Sequence, residues 1–85
     1  MNDLTDAHRA QANRLSTVLI EVEQEIHRAM AKFHSMSSGH EGYGIILEEL
    51  DELWHEVKHG TKEKSYTEAI QVAAMAIRFV VDLRK

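Results

Sequence analysis

Apolar residues recur at threes and fours along most of the chain, which is the spacing of one helix face. The first series runs from Leu4 through Gln11, Leu15, Val18, Val22, Ile26, Ala29 or Met30 to Phe33. It predicts one helix of roughly 28–30 residues, long by ordinary standards. Asn2 or Asp3 would cap it, and Asp6 sits favourably in its first turn. Its other face is polar, with Arg9, Asn13, Arg14, Glu21, Glu25, Arg28 and Lys32. The periodicity breaks at residues 34–42, where clustered serine and glycine mark a loop. Ser37, Ser38 and the glycines offer donors to a phosphate there, and they serve a plain connector equally well.

A second helix is predicted from Tyr43 to His59. Tyr43, Ile46, Leu47, Leu50, Leu53, Trp54 and Val57 share one arc, while Glu48, Glu49, Glu52 and Glu56 share the opposite one. Gly60 falls where a left-handed residue commonly closes a helix. Residues 61–64 read as a charged turn. Ser65 and Glu68 match a capping box that would open the third helix, Thr67 to Leu83. The apolar arc of this helix spans roughly 220°, more than one packed stripe needs. The narrow strip left over holds Glu68, Gln71, Arg78 and Asp82, with Met75 among them. Three helices cannot cover so wide an arc, so a homodimer or a higher assembly is expected. Ala73, Ala74 and Ala76 would permit close helix approach. The reading is an all-α fold in one domain, residues 1–85. A long N-terminal helix and an antiparallel helix pair would be completed by self-association into a bundle.

Composition narrows the function. The 85 residues include no cysteine and no proline, and three of the four glycines lie within residues 39–44. No disulfide and no thiolate site exists. A chain this short has a marginal core, and without disulfides it leans on a metal, on oligomerisation or on very regular packing. The net charge of −4 argues against a nucleic acid polymer as partner. It leaves room for a nucleotide carried on a divalent cation. No apolar run approaches the ~18 residues of a membrane span. Residues 1–6 lack the basic and apolar regions of a signal peptide, so a cytoplasmic chain is expected.

The acidic arc of the second helix is the leading candidate for chemistry. Glu48 and Glu52 stand four apart and Glu49 and Glu52 three apart, where like charges cost a helix roughly 0.2–0.5 kcal/mol per pair. Such a cluster either faces water or holds a cation. Magnesium takes oxygen ligands and keeps waters for substrate phosphates, and Glu68 on the next helix can add a ligand. A solvated acidic face and a capping role for Glu68 are the plainer alternatives.

Glu48-Glu49-Leu50-Asp51-Glu52 has the Glu-Glu-x-x-Glu form and resembles the first metal motif of the MazG-like, all-α nucleoside triphosphate pyrophosphohydrolases. His40 to Gly44, followed by Ile45 to Val57, looks like the approach to that family's first metal helix. Glu68 to Met75 stands where its second motif, Glu-x-x-Asp, belongs. The resemblance covers residues 41–83. It departs at Gln71, which replaces the aspartate; an amide carbonyl ligates a cation more weakly than a carboxylate does. Asp82, eleven residues beyond Gln71 and so about 16 Å along a helix, cannot take its place. The resemblance implies Mg²⁺-dependent cleavage of a (deoxy)nucleoside triphosphate to monophosphate and pyrophosphate, with Mn²⁺ as a substitute metal. It implies Glu49, Glu52 and Glu68, with Gln71, as metal ligands and Glu48 as the residue that positions the water or holds a second ion. Lys62 and Lys64 become phosphate contacts and Trp54 a base-stacking candidate, although turn lysines are commonly solvated and Trp54 lies in the apolar arc. A homodimer or homotetramer is implied as well. The departure at Gln71 also fits a non-catalytic relative that binds nucleotide or a protein partner.

A different chemistry is written in His55-Glu56-Val57-Lys58-His59, which matches the helical H-E-x-x-H zinc signature. Two histidines at that spacing can reach one Zn²⁺, with Glu56 as base. His40 or Glu63 would have to supply a third ligand. An imidazole at position 59 also suits the carbonyl-rich end of a helix. His8, His27 and His34 show no ligand spacing.

Overall fold

A computed structural model describes residues 3–84, with side chains from residue 5 onward. Three helices account for nearly all of it: α1 (Asp3–Lys32), α2 (Gly39–His59) and α3 (Lys62–Leu83). The all-α expectation holds, and α1 has the expected length. The proposed Asn2 cap lies outside the described residues.

The connections differ from the sequence expectation in instructive ways. The loop after α1 is only residues 33–38, because α2 starts at Gly39 rather than Tyr43. Ser38 is the N-cap, its hydroxyl accepting the Glu41 N–H at 3.1 Å, while the Glu41 carboxylate reaches back to the Ser37 N–H at 2.8 Å. Satisfying these otherwise orphaned donors outweighs the poor helix propensity of Gly39, Gly42 and Gly44. Gly42 is also needed for packing. A Cβ there would meet Phe79 Cδ2 at 2.5 Å and Met36 Sδ at 3.1 Å.

Gly60 does not close α2 in the left-handed region. Its backbone is extended, at φ −101° and ψ −155°, and its N–H donates to the Glu56 carbonyl at 2.8 Å. A conformation open to any residue suffices, because the chain turns straight into α3. There Thr61, not Ser65, is the N-cap, accepting the Lys64 N–H at 3.2 Å. Ser65 lies inside the helix and donates to the Lys62 carbonyl at 2.7 Å. Glu68 is therefore released from the expected capping role.

α3 is the middle element. It packs against both α1 and α2, which do not pack on each other. α2 and α3 are antiparallel, with Gly42 beside Phe79 and Glu49 beside Gln71. The core is small: Val22 and Ala29 from α1, Met36 from the loop, and Ala74 and Met75 from α3, flanked by Ile26, Ile45, Ile46, Ile70 and Phe79.

The orientation of α2 and α3 reverses a second expectation. The polar strip of α3 faces inward. Met75 and Arg78 are buried, and Gln71 and Asp82 are half-buried, while Ile77, Val80 and Val81 are exposed. α2 likewise turns Gly42, Ile45 and Glu49 toward α3 and leaves Leu47, Leu50, Trp54 and Val57 outside. The reason is local. Close approach at Gly42 fixes the facing register, and the buried polar groups find partners within it. Arg78 Nη2 donates to the His34 carbonyl at 3.0 Å and contacts Asp82 Oδ2 at 3.4 Å, and Asp82 Oδ2 accepts the Met36 N–H at 2.9 Å. One ion pair thus ties the 33–38 loop to the end of α3.

Candidate functional site

The meeting of two polar faces builds one site. Glu49 and Glu52 project from α2 and Glu68 from α3, and one carboxylate oxygen from each lies within 4.8 Å of the other two. Among the described residues this is the group of three carboxylate, imidazole or thiolate side chains close enough to share an ion. Glu49 and Glu68 are half-buried and Glu52 is exposed, so the cluster opens to solvent on one side. Gln71 lies one turn beyond Glu68. With its amide nitrogen turned inward it donates to Glu49 Oε2 at 2.8 Å and to Glu68 Oε2 at 3.0 Å. Half a turn of the same amide presents its carbonyl oxygen instead.

Crowding shows in the proton affinities. Burial, then the charges of Glu52, Glu68 and Glu25, and finally a hydrogen bond with Glu52 raise the Glu49 carboxyl from its ordinary 4.5 to about 7. Glu68 is raised too, first by burial, then by the charge of Glu52, a hydrogen bond with Glu52 and the charge of Glu56. The Gln71 amide, hydrogen-bonded to Glu49 and Glu68, relieves part of this crowding.

The donor set fits a hard dication. Magnesium holds oxygens at about 2.1 Å, so ligands across its shell stand about 4 Å apart, comparable with the span of the cluster. Three carboxylates with one amide and an open side suit an ion that retains waters.

Beside the cluster runs a cleft of about 410 Å³, lined by Glu49, Gln71 and Met75, by Glu25, Arg28 and Lys32 from α1, and by Phe33 just beyond it. The sequence pattern puts Glu25, Arg28 and Lys32 on the polar face of the first helix and Phe33 at the end of its apolar series. Their contribution follows from spacing: Glu25, Arg28 and Lys32 flank the Val22–Ile26–Ala29 stripe that packs on α3. Arg28 donates to Glu25 Oε1 at 2.6 Å, and Lys32 Nζ stands 5.2 Å from the Phe33 ring centre.

The structure brings together Glu49, Glu52, Glu68 and Gln71, and it sets Glu48 in an adjoining chamber with Glu49. Lys62 and Lys64 lie exposed in the first turn of α3, and neither chamber that holds Glu49 includes them. Trp54 is on the outer face of α2, 58% exposed, with Lys58 Nζ 5.2 Å from its ring centre. His55 and His59 meet in a tilted contact with ring centroids 5.2 Å apart, both exposed, and no third ligand joins them among the described residues. No family model matches the chain, and no curated protein or solved structure is significantly similar to it.

Proposed function

We propose that the protein is a Mg²⁺-dependent nucleoside triphosphate pyrophosphohydrolase of the MazG-like kind, releasing pyrophosphate and a monophosphate. The observation that carries this reading is the convergence of Glu49, Glu52 and Glu68 from two helices at the edge of a cleft. A magnesium ion bound by these three, with Gln71 turned carbonyl-inward, would neutralise phosphate oxygens and lower the pKa of a coordinated water. Mn²⁺ would serve in its place. Arg28 and Lys32 replace Lys62 and Lys64 as the phosphate-binding cations, because they face Glu49 across the cleft. An anion in the cleft would compete with Glu25 for Arg28. Glu48, on the neighbouring wall, is the residue to orient the attacking water or hold a second ion.

The exposed apolar faces support a homodimer or homotetramer. Leu15, Leu19 and Ile20 on α1, Leu47, Leu50, Trp54 and Val57 on α2, and Ile77, Val80 and Val81 on α3 are all open. That is more apolar surface than a small monomer usually leaves uncovered.

A second reading has its own observation. Gln71 can satisfy Glu49 and Glu68 by hydrogen bonds with no cation present, which suits a non-catalytic helical protein that binds nucleotide or a protein partner. Calorimetric titration of Mg²⁺ and Mn²⁺ against the protein and its Gln71→Asp variant separates the two, followed by pyrophosphate release from a panel of nucleoside triphosphates. Catalysis predicts metal binding that tightens about tenfold or more in the variant, with higher turnover, as an added carboxylate ligand should give. No metal binding by either protein at millimolar concentration would refute the enzyme reading.

A further inference from the structure

Past the carboxylates lies a second chamber of about 330 Å³, walled by the 33–38 loop, α2 and α3. It shares Phe33, Glu49 and Met75 with the first. Ile45 adds an apolar wall, Glu41 and Glu48 add acceptors, and His34 and Arg78 complete the lining. An apolar slot with a few convergent polar groups is the usual form of a small-ligand site.

Arg78 is the unusual member. It is 2% exposed, yet its donors are poorly used. Nη2 is satisfied by the His34 carbonyl and Asp82. Nη1 has only the Met75 thioether, at 3.5 Å, and Nε has no partner at all. Sulfur is a weak acceptor, and a buried N–H without one carries a penalty. The chamber is nevertheless wrong for an anion. Asp82 balances the guanidinium, and Glu41 and Glu48 add negative charge. What suits Arg78 is a neutral oxygen that displaces the flexible Met75 side chain. What suits the glutamates is an N–H.

We propose that this chamber binds a nucleobase whose edge sets a ring carbonyl beside a ring N–H, guanine foremost, with hypoxanthine and uracil carrying the same pair. The ring carbonyl would accept from Arg78, the neighbouring ring N–H would donate to Glu41 or Glu48, and the ring face would lie on Phe33. In guanine the exocyclic amino group gives the carboxylate a second donor. Adenine offers an amino group and a bare ring nitrogen at those places, and cytosine offers an amino group followed by two acceptors. Both set donor against donor or acceptor against acceptor. The link between this chamber and the carboxylate cluster rests on the nucleotide reading above, but the chamber itself is testable without phosphate or metal.

The test is a metal-free titration of the full chain with guanosine, inosine, adenosine and cytidine. It follows the Arg78 Nε–H signal in ¹⁵N–¹H spectra, assigned with Arg78→Lys. Guanosine and inosine should move that signal, with adenosine and cytidine at least about tenfold weaker, the discrimination one matched polar pair gives. The Glu41→Gln/Glu48→Gln variant should lose most of the guanosine response while its other signals stay in place. A silent Arg78 signal at millimolar guanosine, or equal responses to all four nucleosides, overturns the assignment. Because no phosphate and no metal is present, either failure leaves the magnesium reading standing. Failed metal titration would likewise leave a guanosine response intact.

Discussion

The raised proton affinity of Glu49 makes a prediction that a melting curve can check. Replacing Glu49 with Gln removes a carboxyl whose proton affinity is raised from 4.5 to about 7 in the fold. Below about pH 4.5 the folded and unfolded chains both keep this proton, so the group contributes nothing to the pH dependence of stability. Between about pH 4.5 and 7 the unfolded chain gives up its proton first. It then gains stability relative to the fold, and the penalty is complete above pH 7. At full weight the displacement amounts to about 3 kcal/mol. Glu49 is half-buried and faces an open cleft, so solvent screening leaves about 1–2 kcal/mol. For a domain of this size that is roughly 5–10 °C in Tm. The assay is thermal unfolding of wild type and Glu49→Gln at fixed protein concentration in chelator, at pH 4 and pH 8. The variant should melt higher at pH 8 and together with wild type at pH 4. Adding millimolar Mg²⁺ at pH 8 should then raise wild type and leave the variant unmoved, since a ligand stabilises only the state that binds it. Equal shifts at both pH values would refute the displaced proton. A variant less stable at pH 8 would mean that the carboxylate is a net stabilising acceptor.

Other substitutions probe the frame. Gly42→Ala should cost about 1–3 kcal/mol by overpacking against Phe79 and Met36, whereas Gly44→Ala, whose Cβ would meet nothing within 4 Å, should gain about 0.5–1 kcal/mol from helix propensity; urea midpoints compare them, and equal effects would refute the packing role of Gly42. Asp82→Ala strands the Arg78 charge and the Met36 N–H and should cost about 3–5 kcal/mol, with Asp82→Asn milder, both read by urea denaturation. Ser38→Ala should cost about 1 kcal/mol through the lost α2 cap, seen as faster amide exchange at Glu41.

The helices were legible because their periodicity is long and regular. The carboxylate cluster was legible because i,i+3 and i,i+4 spacing places side chains on one face wherever that face points. Which face points inward was not legible. Hydropathy assigns Leu47, Leu50 and Trp54 to the interior of α2, but Gly42 against Phe79 and the Arg78–Asp82 pair set the register instead. Gly42 meets Phe79, and the Arg78–Asp82 pair meets His34 and Met36, across more than thirty positions of chain, and no local pattern announces such contacts. The caps were misread for a related reason. Ser65 and Glu68 satisfy the capping pattern as well as Thr61 does, and only the turn after His59 decides between them. Arg28 and Lys32 were hidden because a cation beside a cleft and a cation in solvent carry the same sequence.

That α1 touches only α3 bears on how the molecule comes apart. α2 and α3 are joined by Gly60 and Thr61 alone, so this pair can close from its turn outward without first closing a long loop. α1 reaches the pair across the 33–38 loop and rests on α3 alone, the arrangement of an element that can open by itself. Glu49, Glu52, Glu68 and Gln71 belong wholly to the hairpin, whereas Arg28, Lys32 and Phe33 arrive with α1. Undocking α1 would leave the acidic cluster assembled and remove one wall of both chambers at a stroke. Affinity for a bare cation and affinity for an organic ligand would then respond differently to the same opening, and amide exchange along α1 would report the second.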